Sequence, residues 1–270
     1  MERPTPSPGC AAFDPPRNAE INTWFDPSSG ELQASYLDPE TAVDVTVSFH
    51  ALDMSCLKNV ELARTAEHAL VTSSRYKRCR GRETLITNVD GDDLPDLLFH
   101  DWLDRSEGGR ARLGVCTGAG AHDRIDGGGM SETLFVHDVD EDGSDEIFFG
   151  GTTVSAEYVA VARFIDGRLI EVRPRGGGAL TLVRGLDFVR LSLIPAGASF
   201  GCDDVDDDGT RDLVSATVVS ATGGRLRWHL VGYALDGRYV EQIWDDGGTF
   251  RAGRGKSALV GQAAILTPGC

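Results

Sequence analysis

Residues 138–149 read DVDEDGSDEIFF, with oxygen-bearing side chains at the first, third, fifth and ninth positions and apolar residues directly after them. NVDGDDLPDLLF at 88–99 and DVDDDGTRDLVS at 204–215 align with it without gaps. Alternate residues of a tight loop can turn their side chains toward one point. Hard divalent cations such as calcium need about six to eight oxygens at about 2.3–2.6 Å. The candidate ligands of the second loop are the side chains of Asp138, Asp140, Asp142 and Glu146 and the carbonyl of Ser144. In the third they are Asp204, Asp206, Asp208 and Asp212 with Thr210, and in the first Asn88, Asp90, Asp92 and Asp96 with Leu94. Gly143 and Gly209 provide a turn at the sixth position, where the first loop has Asp93. An aspartate enters the left-handed conformation at a cost, so the sequence ranks the first loop weakest.

Fifteen of the 42 acidic residues lie in these three loops, where they would repel one another without a counter-cation. Up to three calcium ions are therefore expected. An EF-hand starts with the same spacing but needs a bidentate glutamate at position twelve and flanking helices. Position twelve is Phe99, Phe149 or Ser215, and strand-like runs follow every loop, which rejects that motif.

The wider chain reads as all-β. From about residue 20, short apolar runs alternate with Gly, Asp and Ser clusters. Asp166-Gly167 and Asp236-Gly237 each stand between alternating runs and predict tight hairpins. Residues 56–70 form the one stretch with helical character. Residues 1–18, with five prolines, predict an extended flexible arm, leaving 19–270 as the repeat domain. A motif recurring at such intervals implies stacked β units. An eroded copy at Tyr36, with Asp38, Glu40 and Asp44 but no first ligand or glycine, is expected to bind weakly or not at all.

The 270 residues carry a net charge of −16 and are 41 % hydrophobic, enough for a packed core. Such acidity argues against nucleic acid and anionic membranes, which need a cationic face. No apolar run reaches the roughly 20 residues of a membrane-spanning helix. Six widely spaced cysteines without a CxxC pair predict three disulfides in an exported protein, of a connectivity the sequence leaves open. The N-terminal residues lack a signal-peptide core, so an exported chain implies a leader already removed.

The three loop segments resemble the calcium loops of FG-GAP/VCBS repeats, the blade units of integrin-α-type β-propellers and of many exported bacterial proteins. Phe149-Gly150-Gly151 and Phe200-Gly201 echo the Phe-Gly elements of that repeat. The resemblance covers roughly residues 30–255 and implies four-stranded blades with calcium between two strands. It implies a small or incomplete β-propeller of about four to five blades, fewer than the seven usual in the family. If the ring closes, Cys270 would approach Cys10 or another early cysteine.

Catalytic signals are weaker. Gly197-Ala198-Ser199-Phe200-Gly201 matches GxSxG, which works only at a strand-to-helix turn. Here it runs into Cys202 and the third loop and reads as a β-turn. Residues 254–257, RGKS, lack the first glycine of a phosphate loop, since that position is Phe250. The basic stretch RYKRCRGR at 75–82 reads as charge balancing the first loop. The resulting expectation is a monomeric, non-catalytic module at the cell surface or in the periplasm, recognising a carbohydrate or protein ligand. The alternative is a polysaccharide lyase or hydrolase on the same scaffold. Trp24, Trp102, Trp228 and Trp244 are candidate rim aromatics.

Overall fold

Alternation of apolar and polar residues sets the strands. In Glu31–Leu37, Leu32 and Ala34 are fully buried while Glu31 faces water, as the period of two requires. The computed structural model describes residues 19–26, 29–37, 42, 44–51, 69–70, 73–79, 84–92, 94–102, 111–126, 132–152, 156–187, 196–221, 225–251, 260, 263–264 and 266–267. The proposed arm, residues 1–18, lies outside them, as does most of the helical candidate, of which residues 69–70 are helical. The described residues are predominantly β. Among the described residues no helix is long and apolar enough to cross a membrane.

Two compact units make up the chain. The first comprises Met1–Asp101 with Gly114–Arg124. It holds the antiparallel sheet of β1 (Ile21–Asp26), β2 (Glu31–Leu37) and β3 (Asp44–His50). It also holds most of a four-stranded sheet ordered β4 (Thr84–Thr87), β5 (Asp96–Trp102), β6 (Ala111–Cys116), β7 (His122–Asp126). Leu32, Ala34 and Phe49 pack with Tyr76, Leu97, Phe99 and Cys116 in its core. A Cys79–Cys116 disulfide, with Cα atoms 6.0 Å apart, ties the segment before β4 to the end of β6. Cys202 is also disulfide-bonded. The other three cysteines lie outside the described residues.

The second unit comprises Trp102–Leu113 with Ile125–Cys270. Its strands are β8 (Glu132–His137), β9 (Glu146–Thr152), β10 (Ala156–Ile165), β11 (Arg168–Glu171), β12 (Arg173–Pro174), β13 (Leu182–Asp187), β14 (Ala196–Asp203), β15 (Asp212–Ala221), β16 (Arg225–Asp236) and β17 (Tyr239–Arg251). They form a ten-stranded sheet along the path β8-β9-β10-β13-β14-β15-β16-β17-β12, with β11 on β10. Among the described residues a four-stranded sheet of blade size thus occurs once, in β4–β7. Here the ladder continues because β13 pairs with both β10 and β14. Phe135, Phe148 and Phe200 stack at its core, with centroids of 4.2 Å for the first pair and 6.0 Å for Phe148 and Phe200.

Both Asp-Gly sites form hairpins, in different registers. Ile165 pairs with Arg168, so Asp166 and Gly167 are the two central residues, at φ 52° and 76°. Asp236 pairs with Tyr239, so the turn is Gly237-Arg238 and only its glycine takes a positive φ, 56°. The first is the turn with two positive φ angles, and the second needs one at its first central position. The GxSxG segment forms no turn. It lies inside β14, where Ser199 pairs with Ala216 and its hydroxyl accepts from Thr267 Oγ1 at 2.9 Å. Its small residues suit a strand buried along nearly its whole length.

Candidate metal centres

Each acidic loop is the connection of an antiparallel hairpin, and all three close on the same step. Thr87 pairs with Asp96, His137 with Glu146 and Asp203 with Asp212, so the ninth loop residue is also the first residue of the returning strand. That carboxylate is buried in every case: Asp96 and Glu146 are fully buried and Asp212 is 4 % exposed. Each accepts the main-chain N–H of the second loop residue. Val89 donates to Asp96 Oδ2 at 2.7 Å, Val139 to Glu146 Oε2 at 2.8 Å, and Val205 to Asp212 Oδ2 at 3.3 Å. The fifth carboxylate folds the loop locally, with Asp92, Asp142 and Asp208 taking the N–H of Leu94, Ser144 and Thr210.

Carboxylate oxygens of Asp90, Asp92 and Asp96 lie within 4.8 Å of one another. The same holds for Asp138, Asp140 and Glu146, and for Asp204, Asp206 and Asp212. Each group could hold a metal ion. Asp142 and Asp208 stay with their loops but stand outside these closest sets, and Asn88 is half-buried beside the first. Leu94, Ser144 and Thr210 occupy the seventh position, their amides turned to the fifth carboxylate. Asp93 lies outside the described residues, as do Asp38 and Glu40 of the eroded copy. Asp44, that copy's last acidic residue, is exposed at the start of β3, unlike the three buried ninth residues.

Burial dominates the electrostatics. It pushes Asp96 up to about 8, with Asp90 adding repulsion and the N–H donors of Gly118 and Val89 opposing it. Burial likewise raises Asp90 and Asp212 to about 6. Glu146 rises to about 8 despite an opposing guanidinium. Carboxyl groups held this far above their usual range lack enough positive charge around them, which is the condition a divalent cation relieves.

Two features of the loops were not legible in the spacing. The sixth-position glycines do take left-handed φ, 93° at Gly143 and 88° at Gly209. The fourth position is left-handed too, at Gly91 (71°), Glu141 (56°) and Asp207 (60°). The first loop therefore has its glycine at the other strained position, which offsets the feature that ranked it weakest. The second feature is Arg163, from β10. Its Nη1 lies 2.9 Å from Asp140 Oδ2, its Nε lies 2.9 Å from Glu146 Oε1, and Nη2 contacts Asp142 Oδ2.

The first loop has other supports. Gly118 donates to Asp96 Oδ1 at 2.8 Å, and a Cβ there would meet Leu94 Cβ at 2.2 Å, so only glycine fits. Tyr76 donates to the Pro95 carbonyl and Arg75 to that of Gly118. The basic stretch thus braces this loop, as well as adding charge near it. At the third loop, Val205 Cγ2 lies against Gly232, where a Cβ would come within 2.6 Å.

The sequence matches no protein-family model and no curated protein. Among solved structures it is similar to the rhamnogalacturonan lyase YesW, at 14 % identity and a TM-score of 0.32. The match covers 62 % of this chain and 34 % of that one, so the chain spans about a third of the lyase's length.

Proposed function

We propose that this protein is an exported, calcium-binding module of FG-GAP/VCBS type, its hairpins arranged as blades of a small or incomplete β-propeller, with a binding or structural role at the cell surface. The observation that carries the reading is the convergence of Asp90, Asp92 and Asp96, and again of Asp204, Asp206 and Asp212, within 4.8 Å around a buried ninth carboxylate. Among the described residues no arginine or lysine forms an ion pair with those six. Asn88 and the carbonyls of Leu94 and Thr210 would complete the oxygen sets. Calcium supplies the charge that these carboxylates lack. The chain's contribution is to fix the ninth ligand through the N–H of the second residue and to seat it on the first step of a strand. An ion that binds only this arrangement stabilises the fold by mass action.

The ligand class is a carbohydrate or protein. Trp24 is exposed at 45 % on β1, while Trp228 and Trp244 are half-buried in the second unit. Calorimetric titration with calcium and melting in chelator test the metal reading: no heat of binding and an unchanged melting curve would remove it. A glycan array with calcium, paired with a turnover assay on the same glycans, tests the role. Retention without cleavage supports the module, and product release supports a lyase or hydrolase instead.

A further inference from the structure

We propose that Arg163 supplies the cation of the second acidic loop, so that divalent ions load the first and third loops only. The inference rests on the calcium reading above and refines it. The Arg163 side chain is only 9 % exposed and reaches the ligand set of one loop with three different nitrogens, to Asp140, Asp142 and Glu146. A guanidinium is a planar, permanently charged fork whose donors match carboxylates. Here it faces the third, fifth and ninth residues of the loop, three of the four side chains that would otherwise converge on an ion. An ion and a guanidinium at these oxygens exclude each other, because each places its charge within bonding distance of the same carboxylates.

The arginine's place follows from the ladder. Ile147 pairs with Ala162, which sets Arg163 opposite Glu146 at the next step of β10. In the third loop Leu213 pairs with Tyr233, and the corresponding next residue of β16 is Ala234. In the first loop the ninth carboxylate meets the main-chain N–H of Gly118. The second loop therefore carries a built-in cation at the step where the third carries a methyl group, and the ninth carboxylate of the first is met by a bare amide. Asp138 Oδ1, buried without a hydrogen-bond partner, is the oxygen that the guanidinium leaves unmatched.

The test counts calcium ions bound per full-length chain, by equilibrium dialysis after chelator treatment. Wild type is expected to bind two and Arg163→Ala, which copies the third loop, to bind three. Asp206→Asn should lose one ion, while Asp140→Asn should leave the count unchanged. A wild-type count of three, an Arg163→Ala count equal to wild type, or loss of an ion in Asp140→Asn each overturns the proposal. A wild-type count of zero removes the calcium reading and with it the loading of the first and third loops, and the role of Arg163 at the second loop is then decided by whether Arg163→Ala gains an ion. Should Arg163→Ala not fold, Asp140→Asn carries the decision: an unchanged count supports the arginine and a lost ion overturns it.

Discussion

The main-chain N–H of Gly118 points at Asp96 Oδ1, 2.8 Å away, while the N–H of Val89 holds the other oxygen at 2.7 Å. Two neutral donors thus orient a fully buried carboxylate without neutralising it. Asp96→Asn removes the charge but sets its side-chain NH2 against one of these two N–H donors, so an acceptor is lost together with a candidate metal ligand. The variant is expected to lose more stability in calcium than in chelator, by about 1–3 kcal/mol. Melting both proteins in both buffers checks this. An equal loss in both buffers would show that the carboxyl group acts through hydrogen bonding alone.

Metal-free protein should lose stability as pH rises. Asp96 titrates at about 8 in the folded chain, against an ordinary 3.8. Below pH 4 or so the group is protonated in both states. Between about pH 4 and pH 8 the unfolded chain releases the proton and the folded chain keeps it, so the equilibrium moves toward unfolding. Glu146, at about 8, acts in the same direction. The melting midpoint in chelator is expected to fall from about pH 5 to about pH 8, and excess calcium should remove the share that Asp96 contributes. A midpoint that rises with pH in chelator contradicts the assignment.

The fourth loop position gives a backbone test. Gly91 at φ 71° has no side chain to strain, whereas Asp207 at 60° has one. Gly91→Ala should cost about 1–2 kcal/mol. Asp207→Gly should be neutral or stabilising by up to about 1 kcal/mol, strain relief being offset by a freer unfolded chain. Gly176→Ala is the control, since that exposed glycine has neither a positive φ nor a neighbour near the added carbon. Chemical denaturation ranks the three. Equal losses for Gly91→Ala and Gly176→Ala would rule out the strained position.

The Cys79–Cys116 bridge ends one residue before Thr117-Gly118, the segment that carries the donor to Asp96. Replacing both cysteines with serine should cost about 2–4 kcal/mol through the freed unfolded chain. Calcium affinity should drop at the first loop and hold at the third. Titrating calcium into the double variant in an Asp206→Asn background isolates the first loop, and an unchanged affinity there would separate the bridge from the site.

The acidic loops were legible because their chemistry is local: ligand spacing, turn glycine and ensuing strand all lie within twelve residues, and Val89, Val139 and Val205 fall at equivalent places. The two hairpins were legible for the same reason, although a one-residue slide between Asp166-Gly167 and Asp236-Gly237 was not. The fourth-position strain escaped notice because Gly, Glu and Asp there share no common signal. Arg163 was illegible for a deeper reason. Its approach depends on the register of β10 against β9, a pairing that no spacing within the loop encodes. The continuous sheet through β13, and the GASFG segment that forms a strand where glycines promised a turn, likewise follow from non-local pairing.

In each loop the ninth residue is a ligand candidate and also the opening rung of a strand, paired with Thr87, His137 or Asp203. Loop length and strand register are therefore a single variable. One inserted residue would displace a carboxylate from its cluster and also turn the apolar face of Leu97, Ile147 or Leu213 from core to solvent. A length change at any of these loops would therefore damage the core and the carboxylate cluster together.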